Sequence, residues 1–162
     1  MIKKILVSQP APTTEKSPYH DIAQNLGVEF TFQPFVKVEG LEAREFRSQK
    51  VNILDHTAIV FNSRNAIEHF FHLCKELRVT LPEDMKYFGI SEKVILYIQK
   101  FVQYRKRKVF FGTSGHWPEL LTVMAKHKTE KYLFPLSEGT SLEIAGQLDQ
   151  KKIKHTECTM FR

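Results

Sequence analysis

Four short stretches carry glycine, hydroxyl and amide residues where backbone N–H groups could meet an anion. They are Asn62-Ser63-Arg64, Gly89-Ile90-Ser91, Gly112-Thr113-Ser114-Gly115 and Ser137-Glu138-Gly139-Thr140. Each follows a short apolar run and precedes a stretch of helical period. The first amides of a helix have no intrahelical partner, so such a turn presents donors past the strand end and holds a carboxylate or phosphate without a charged side chain. The same residue types also cap helices for stability alone, and at a single loop both readings stay open. Four such loops on one rim make ligand binding worth pursuing.

The elements that would position these loops can be read from periodicity. Ile59-Val60-Phe61 is a short apolar run, and Ile67, Phe70, Phe71, Cys74 and Leu77 then recur at the spacing of one buried helix face. Strands are expected at Ile2–Ser8, Val28–Phe32, Tyr87–Phe88, Val109–Phe111, Tyr132–Phe134 and Ile153–Phe161. Pro10-Ala11-Pro12-Thr13-Thr14 reads as a loop and Val36–Gly40 as a connector. Helices are expected at Tyr19–Leu26, closed by Gly27, then at Leu41–Lys50, Glu92–Val102, Pro118–Lys126 and Gly139–Leu148. From about residue 57 strands and helices alternate. The expected class is therefore α/β, with a mostly parallel sheet flanked by helices. In such sheets ligands collect at the C-terminal ends of the strands, where the four loops fall. In the last strand Thr156, Cys158 and Met160 alternate with Glu157 and Thr159, which suits a sheet edge or a strand leaving the domain.

Composition narrows the function classes. Of 162 residues, 42% are apolar, enough for a core. No apolar run approaches the roughly 20 residues that span a bilayer, and the apolar N-terminal stretch is too short for a secretory signal. No membrane partner is expected. Cys74 and Cys158 fall on buried faces and read as reduced core thiols of a cytoplasmic protein. Lys and Arg number 24 against 18 Asp and Glu, a balance that favours acidic ligands. The densest basic run, Arg105-Lys106-Arg107-Lys108, has no interleaved aromatics and no recognition-helix pattern around it. It reads as a solvated connection, and no nucleic-acid partner is expected.

Familiar catalytic signatures are missing. There is no GxGxxG, no GxSxG elbow, and no Walker lysine after Gly112-Thr113-Ser114-Gly115. His69 and His72 stand three apart on a helix but lack a third ligand, so no metal site is expected. Trp117 reads as a packing anchor. A receiver-type phosphorylation site would need acidic residues clustered at strand ends, and Asp21 and Asp55 are not so placed.

Several of these pieces, in their order, resemble the uroporphyrinogen-III synthase family. Lys4-Ile5-Leu6-Val7-Ser8 is followed by a helix ending Asn25-Leu26-Gly27-Val28 and then by Phe32-Gln33-Pro34-Phe35. Ile59-Val60-Phe61-Asn62-Ser63-Arg64-Asn65-Ala66-Ile67 is similar to the family's apolar–Thr/Asn–Ser–x–Asn–Ala–Val stretch. Tyr87-Phe88-Gly89-Ile90-Ser91 stands where the family has Val-Gly-x-x-Thr, and Val109-Phe110-Phe111-Gly112 is similar to its Leu-x-x-Gly segment. Thr156-Glu157-Cys158-Thr159-Met160-Phe161-Arg162 looks like the strand returning to the first domain.

The resemblance implies two α/β domains joined by a two-stranded linker, the second inserted in the first. Residues 1–36 would supply the N-terminal part of domain one, 37–40 a linker strand, 41–155 the inserted domain two and 156–162 the returning strand. Domain one would then be incomplete. The chain is expected to be a truncated or proteolysed product, inactive alone, which an intact mass set against the gene's open reading frame checks. Its unpaired N-terminal strands are open to self-association. The implied reaction is cyclisation of hydroxymethylbilane, with loss of water and inversion of the last pyrrole ring, and it uses no metal and no organic cofactor. The implied substrate contacts are Asn62, Ser63, Gly89, Ser91, Gly112 and Thr113. Phe161 stands where the family has a tyrosine that assists departure of water, so no catalytic residue is assigned. Glu92 stands where the family has a threonine. The reading from another class is a non-catalytic α/β module that binds an anion or a partner.

Overall fold

The computed structural model describes residues 2–9, 11–12, 16–34 and 37–162. Pro10, Thr13 and Thr14 of the expected N-terminal loop, Phe35 after the second strand, and Val36 at the expected connector lie outside the described residues. The chain divides into two units, Met1–Val38 and Glu39–Arg162.

In the first unit, β1 (Lys4–Val7) runs parallel to β2 (Glu29–Phe32), joined through helix α1 (Pro18–Leu26). Ser17 caps α1, its Oγ accepting from Tyr19 N, and proline opens the first turn. Gly27 closes the helix at φ 61°, a left-handed conformation that costs glycine little. The Tyr19 ring packs edge-on against Phe30 and Phe32, at 5.3 Å from each. No residue of α1 is buried, and both strands alternate between exposed and half-buried positions. Two strands and one helix leave Ile2 71%, Leu6 59% and Leu26 69% exposed.

The second unit holds a five-stranded sheet ordered β5-β4-β3-β6-β7, every neighbouring pair parallel. The strands are β3 (Ala58–Phe61), β4 (Lys86–Gly89), β5 (Val109–Phe111), β6 (Tyr132–Ser137) and β7 (His155–Phe161). Alternate residues of β3 feed two cores. Ile59 and Phe61 pack with Ile67, Phe70 and Leu73 of helix α3 (Arg64–Glu76). Ala58 and Val60 pack with Leu120 and Met124 of α5 (Trp117–Ala125) and Leu148 of α6 (Ala145–Gln150). Helices therefore cover both faces, as continuous apolar strands require. Burying each of Phe61, Phe70, Phe88 and Phe134 stabilises the fold by about 1.5–3 kcal/mol.

The α/β class and the parallel sheet are as the periodicity implied; several boundaries moved. The helix expected over Leu41–Lys50 is shorter, α2 (Ala43–Arg47), with Phe46 buried. The helix expected over Glu92–Val102 is one α-turn, α4 (Glu92–Ile95), followed by a 3₁₀ segment over Leu96–Lys100. Ile95 and Ile98 are both fully buried and three apart, and three residues per turn stacks such a pair on one face. The helix expected from Gly139 begins only at Ala145. Gly139 is left-handed at φ 76°, and Leu142 N donates to Glu157 Oε1 at 3.0 Å instead of into a helix.

β7 lies at the sheet edge, as its alternation suggested, and its outer side is covered. Gln49 pairs through its side-chain amide with the backbone of Thr159, at 2.7 and 2.8 Å. Glu39 and Arg162 exchange backbone hydrogen bonds at 2.7 and 2.8 Å, Gly40 bridges Phe161 antiparallel, and Leu41 N donates to Met160 O. These contacts blunt an edge that would otherwise template pairing.

Candidate functional site

The β5-β4-β3 part of the sheet brings three of the four loops side by side at its C-terminal end. Ile90 N donates to Phe61 O at 3.0 Å and Gly112 N to Gly89 O at 3.1 Å, which ties the three strand ends together. Asn62 and Ser63 stand on the first loop, Gly89 and Ser91 on the second, Gly112 and Thr113 on the third.

Their groups are differently committed. Ser63 Oγ accepts from Ala66 N at 3.1 Å and caps α3; Ser91 Oγ accepts from Val94 N at 3.3 Å and caps α4. In both the hydroxyl oxygen is used and the O–H proton is left to donate outward. The side-chain amide of Asn62 makes no hydrogen bond among the described residues. Gly89 is there for packing, because a Cβ would lie 2.5 Å from Ile95 Cβ. The Gly112 N–H is spent on Gly89 O, and a Cβ at Gly112 would press on Ile90 O and Leu120 N at 3.2 Å. The glycines bring the backbone close, and the hydroxyls and helix amides are the available donors.

The third loop already holds an anion. Glu119, in the first turn of α5, turns one carboxylate oxygen onto Thr113 N at 3.1 Å, Thr113 Oγ1 at 2.5 Å and Ser114 N at 2.7 Å. Hydrogen bonds from Thr113 and Ser114 hold its carboxyl below the usual carboxylate range. Two positive groups meet at the Tyr97 ring. Arg64, in the first turn of α3, lies with its guanidinium 5.8 Å from the Tyr97 ring centre, and Lys100 Nζ lies 4.6 Å from the same ring. Arg64 was visible inside the Asn62-Ser63-Arg64 stretch; Lys100 carried no signal.

The fourth loop follows β6, at the same C-terminal edge of the sheet. Glu92 is exposed at the first position of α4, where its charge suits the helix dipole. The fourth loop closes on itself through Ser137 Oγ and Thr140 Oγ1 at 2.5 Å. Phe161 is buried on β7 and stacks on the His69 ring at 5.2 Å. Burial pushes the His69 pKa down, against the opposing pull of the Glu68 carboxylate. Among the described residues no cluster of three metal-ligating side chains occurs. Cys74 and Cys158 are buried and free; burial pushes the Cys74 thiol up to about 12 and Cys158 upward as well, so neither is a thiolate nucleophile. Trp117 packs near Phe134, with ring centres 6.1 Å apart.

A parallel sheet with capped helix amides and serine hydroxyls on adjacent strand ends defines a class of α/β module suited to anionic ligands. The family model "Uroporphyrinogen-III synthase HemD" matches residues 17–162. The chain belongs to the uroporphyrinogen-III synthase family. Among solved structures it is similar to a mutant uroporphyrinogen III synthase from the extremely thermophilic bacterium Thermus thermophilus. The TM-score is 0.66 at 14% identity, over 100% of this chain and 62% of that one, a likeness of fold. No curated protein sequence matches it. The non-catalytic alternative gains no support from these likenesses.

The Glu119 contact predicts a pH effect of definite sign. Its folded pKa is lowered, so its stabilisation of the Thr113–Ser114 turn is present above the ordinary carboxylate range and is lost as pH falls through the folded value. In a carboxyl-carbon NMR titration, Glu119 should titrate at lower pH in the unaltered chain than in Thr113→Val. Equal midpoints would contradict the contact.

Proposed function

We propose that this chain contributes to the ring-closing chemistry of its family, the conversion of hydroxymethylbilane to uroporphyrinogen III with loss of water and inversion of the last pyrrole ring. The family match across residues 17–162 is the observation that carries the reading. The rim supports it physically. The substrate is a flexible polycarboxylate, and the rim offers the Ser63 and Ser91 hydroxyls, the Asn62 amide and the free first amides of α3, with Arg64 in the first loop. Gly89 and Gly112 let the backbone approach, and Thr113 receives a carboxylate when Glu119 gives way. Catalysis on this account is mainly conformational: holding the linear chain so that inverted closure outruns spontaneous closure. It needs no metal and no organic cofactor. Phe161 has no hydroxyl, so assistance to the departing water comes from another group.

The domain assignment is part of the proposal. Residues 1–36 belong to domain one and 41–155 form domain two. Residues 37–40 and 156–162 act as the connecting strands, a reading supported by the paired backbones of Glu39 and Arg162. The chain spans 62% of the length of the Thermus structure. The work is done in the cytoplasm, consistent with two buried free thiols and, among the described residues, no helix long and apolar enough to cross a membrane.

Chromatography of the porphyrin isomers made from hydroxymethylbilane tests the activity. The product of the full open reading frame should give the inverted isomer in excess of the symmetrical one that forms spontaneously; the symmetrical isomer alone would overturn the reading. The exposed Ile2, Leu6 and Leu26 also lead us to propose self-association through the first unit. Sedimentation should show mean mass rising with concentration in this chain and falling back in Leu6→Glu; a concentration-independent monomer would contradict it.

A further inference from the structure

A cavity of about 600 Å³ opens at the other end of the sheet, against the N-terminal ends of β3, β6 and β7. Its size falls within the roughly 300–1,000 Å³ of small-molecule sites. Three separate connections each deliver a lysine to its wall: Lys50 after α2, Lys131 before β6 and Lys154 before β7. His56, His155 and the carboxylate of Asp55 also line it, and Asp149 Oδ1 lies 3.9 Å from His155 Nδ1.

The backbones that carry these side chains are fixed. Lys131 N donates to Thr57 Oγ1 at 2.8 Å, and Lys131 O accepts from Thr57 N and Ala58 N at 3.0 and 3.2 Å. Lys154 O accepts from Tyr132 N at 3.0 Å, and Lys50 follows α2 in a left-handed conformation at φ 56°. His56 Nδ1 lies 2.8 Å from Asn52 O. A carbonyl only accepts, so Nδ1 carries the hydrogen, and Nε2 donates to an anion only when the ring is doubly protonated. Among the described residues none of the three lysines is in an ion pair, while the nearby Glu130 is paired with Lys86.

Cations at helix C-termini commonly serve the dipole. That reading does not reach Lys131, which follows a turn, and it does not explain why lysines from three connections share one cavity. The three lysines are solvent-exposed around one cavity, where a compact multivalent anion can engage them together. Helices present carbonyls at this end, so a ligand here must be held by side chains. The donors are ammonium groups without a single arginine fork. They suit the compact charge of phosphate better than the planar, bidentate geometry of a carboxylate.

We propose that this groove is a second anion site, separate from the strand-end rim, which takes a small di- or triphosphate. The inference does not depend on the synthase reading, and it can fail or hold alone.

Calorimetry and amide NMR with inorganic pyrophosphate at fixed ionic strength test it. The expected result is saturable one-site binding, with shifts confined to residues 50–56, 131–132 and 154–156. Lys131→Gln and Lys154→Gln should each weaken binding about tenfold, and Lys128→Gln, outside the groove, should leave it unchanged. Tricarballylate, a polycarboxylate of similar charge, should bind at least about tenfold more weakly. Non-saturating shifts that sodium chloride reproduces, shifts at Asn62–Arg64, Gly89–Ser91 and Gly112–Ser114 only, or indifference to both groove variants would overturn the site. Equal binding of tricarballylate would overturn its assignment to phosphate.

Discussion

Everything in the second unit hangs on the pairing of β3. Its four residues are essentially without solvent exposure, and it pairs in parallel with β4 on one side and β6 on the other. Parallel pairing forces each connection to cross the sheet through a helix or turn, so all strand C-termini share one edge. The rim is a consequence of that edge. Had β4 run the other way, Ser91 and Ser63 would lie at opposite ends of the sheet. The carbonyls that bind the rim together, those of Phe61 and Gly89, are the last acceptors of this same ladder.

The same topology sorts charge. Helix N-termini gather at the strand C-terminal edge, where donors are supplied by backbone and hydroxyls. Helix C-termini gather at the opposite edge, where acceptors crowd and positive side chains are favoured. A basic protein built on this frame thus offers anions two different receptions. At one edge stand hydroxyl and amide donors, Arg64 and the internal carboxylate of Glu119; at the other, three lysines.

Much of this was legible in the sequence, for physical reasons. Runs such as Ile59-Val60-Phe61, short, β-branched and closed by a polar turn, read as strands covered on both faces. Ser63 and Ser91 were readable because a hydroxyl ahead of an apolar helical period satisfies orphan amides wherever it occurs. Helix extents were not readable where tertiary contacts decide them. Ile95 and Ile98 tighten their segment to meet a core contributed by distant strands, and Glu157 takes the Leu142 amide from a strand away. The Glu119 contact joins two sides of a turn and leaves no periodic trace. Lys50, Lys131 and Lys154 are far apart in the chain, and only the sheet order makes them neighbours. The glycines misled in one respect. Gly89 and Gly112 looked like donors, and the structure uses them to relieve crowding.

The proposed role requires that the joined ends of β3, β4 and β5 receive a polycarboxylate tetrapyrrole. An anaerobic amide NMR titration of the chain with uroporphyrinogen III tests it most directly. Saturable shifts are expected at Ser63, Gly89, Ser91, Gly112 and Thr113, with Thr113 and Ser114 moving as Glu119 is displaced. Shifts absent from these three loops at millimolar ligand, or confined to the lysine groove at the opposite edge, would contradict it.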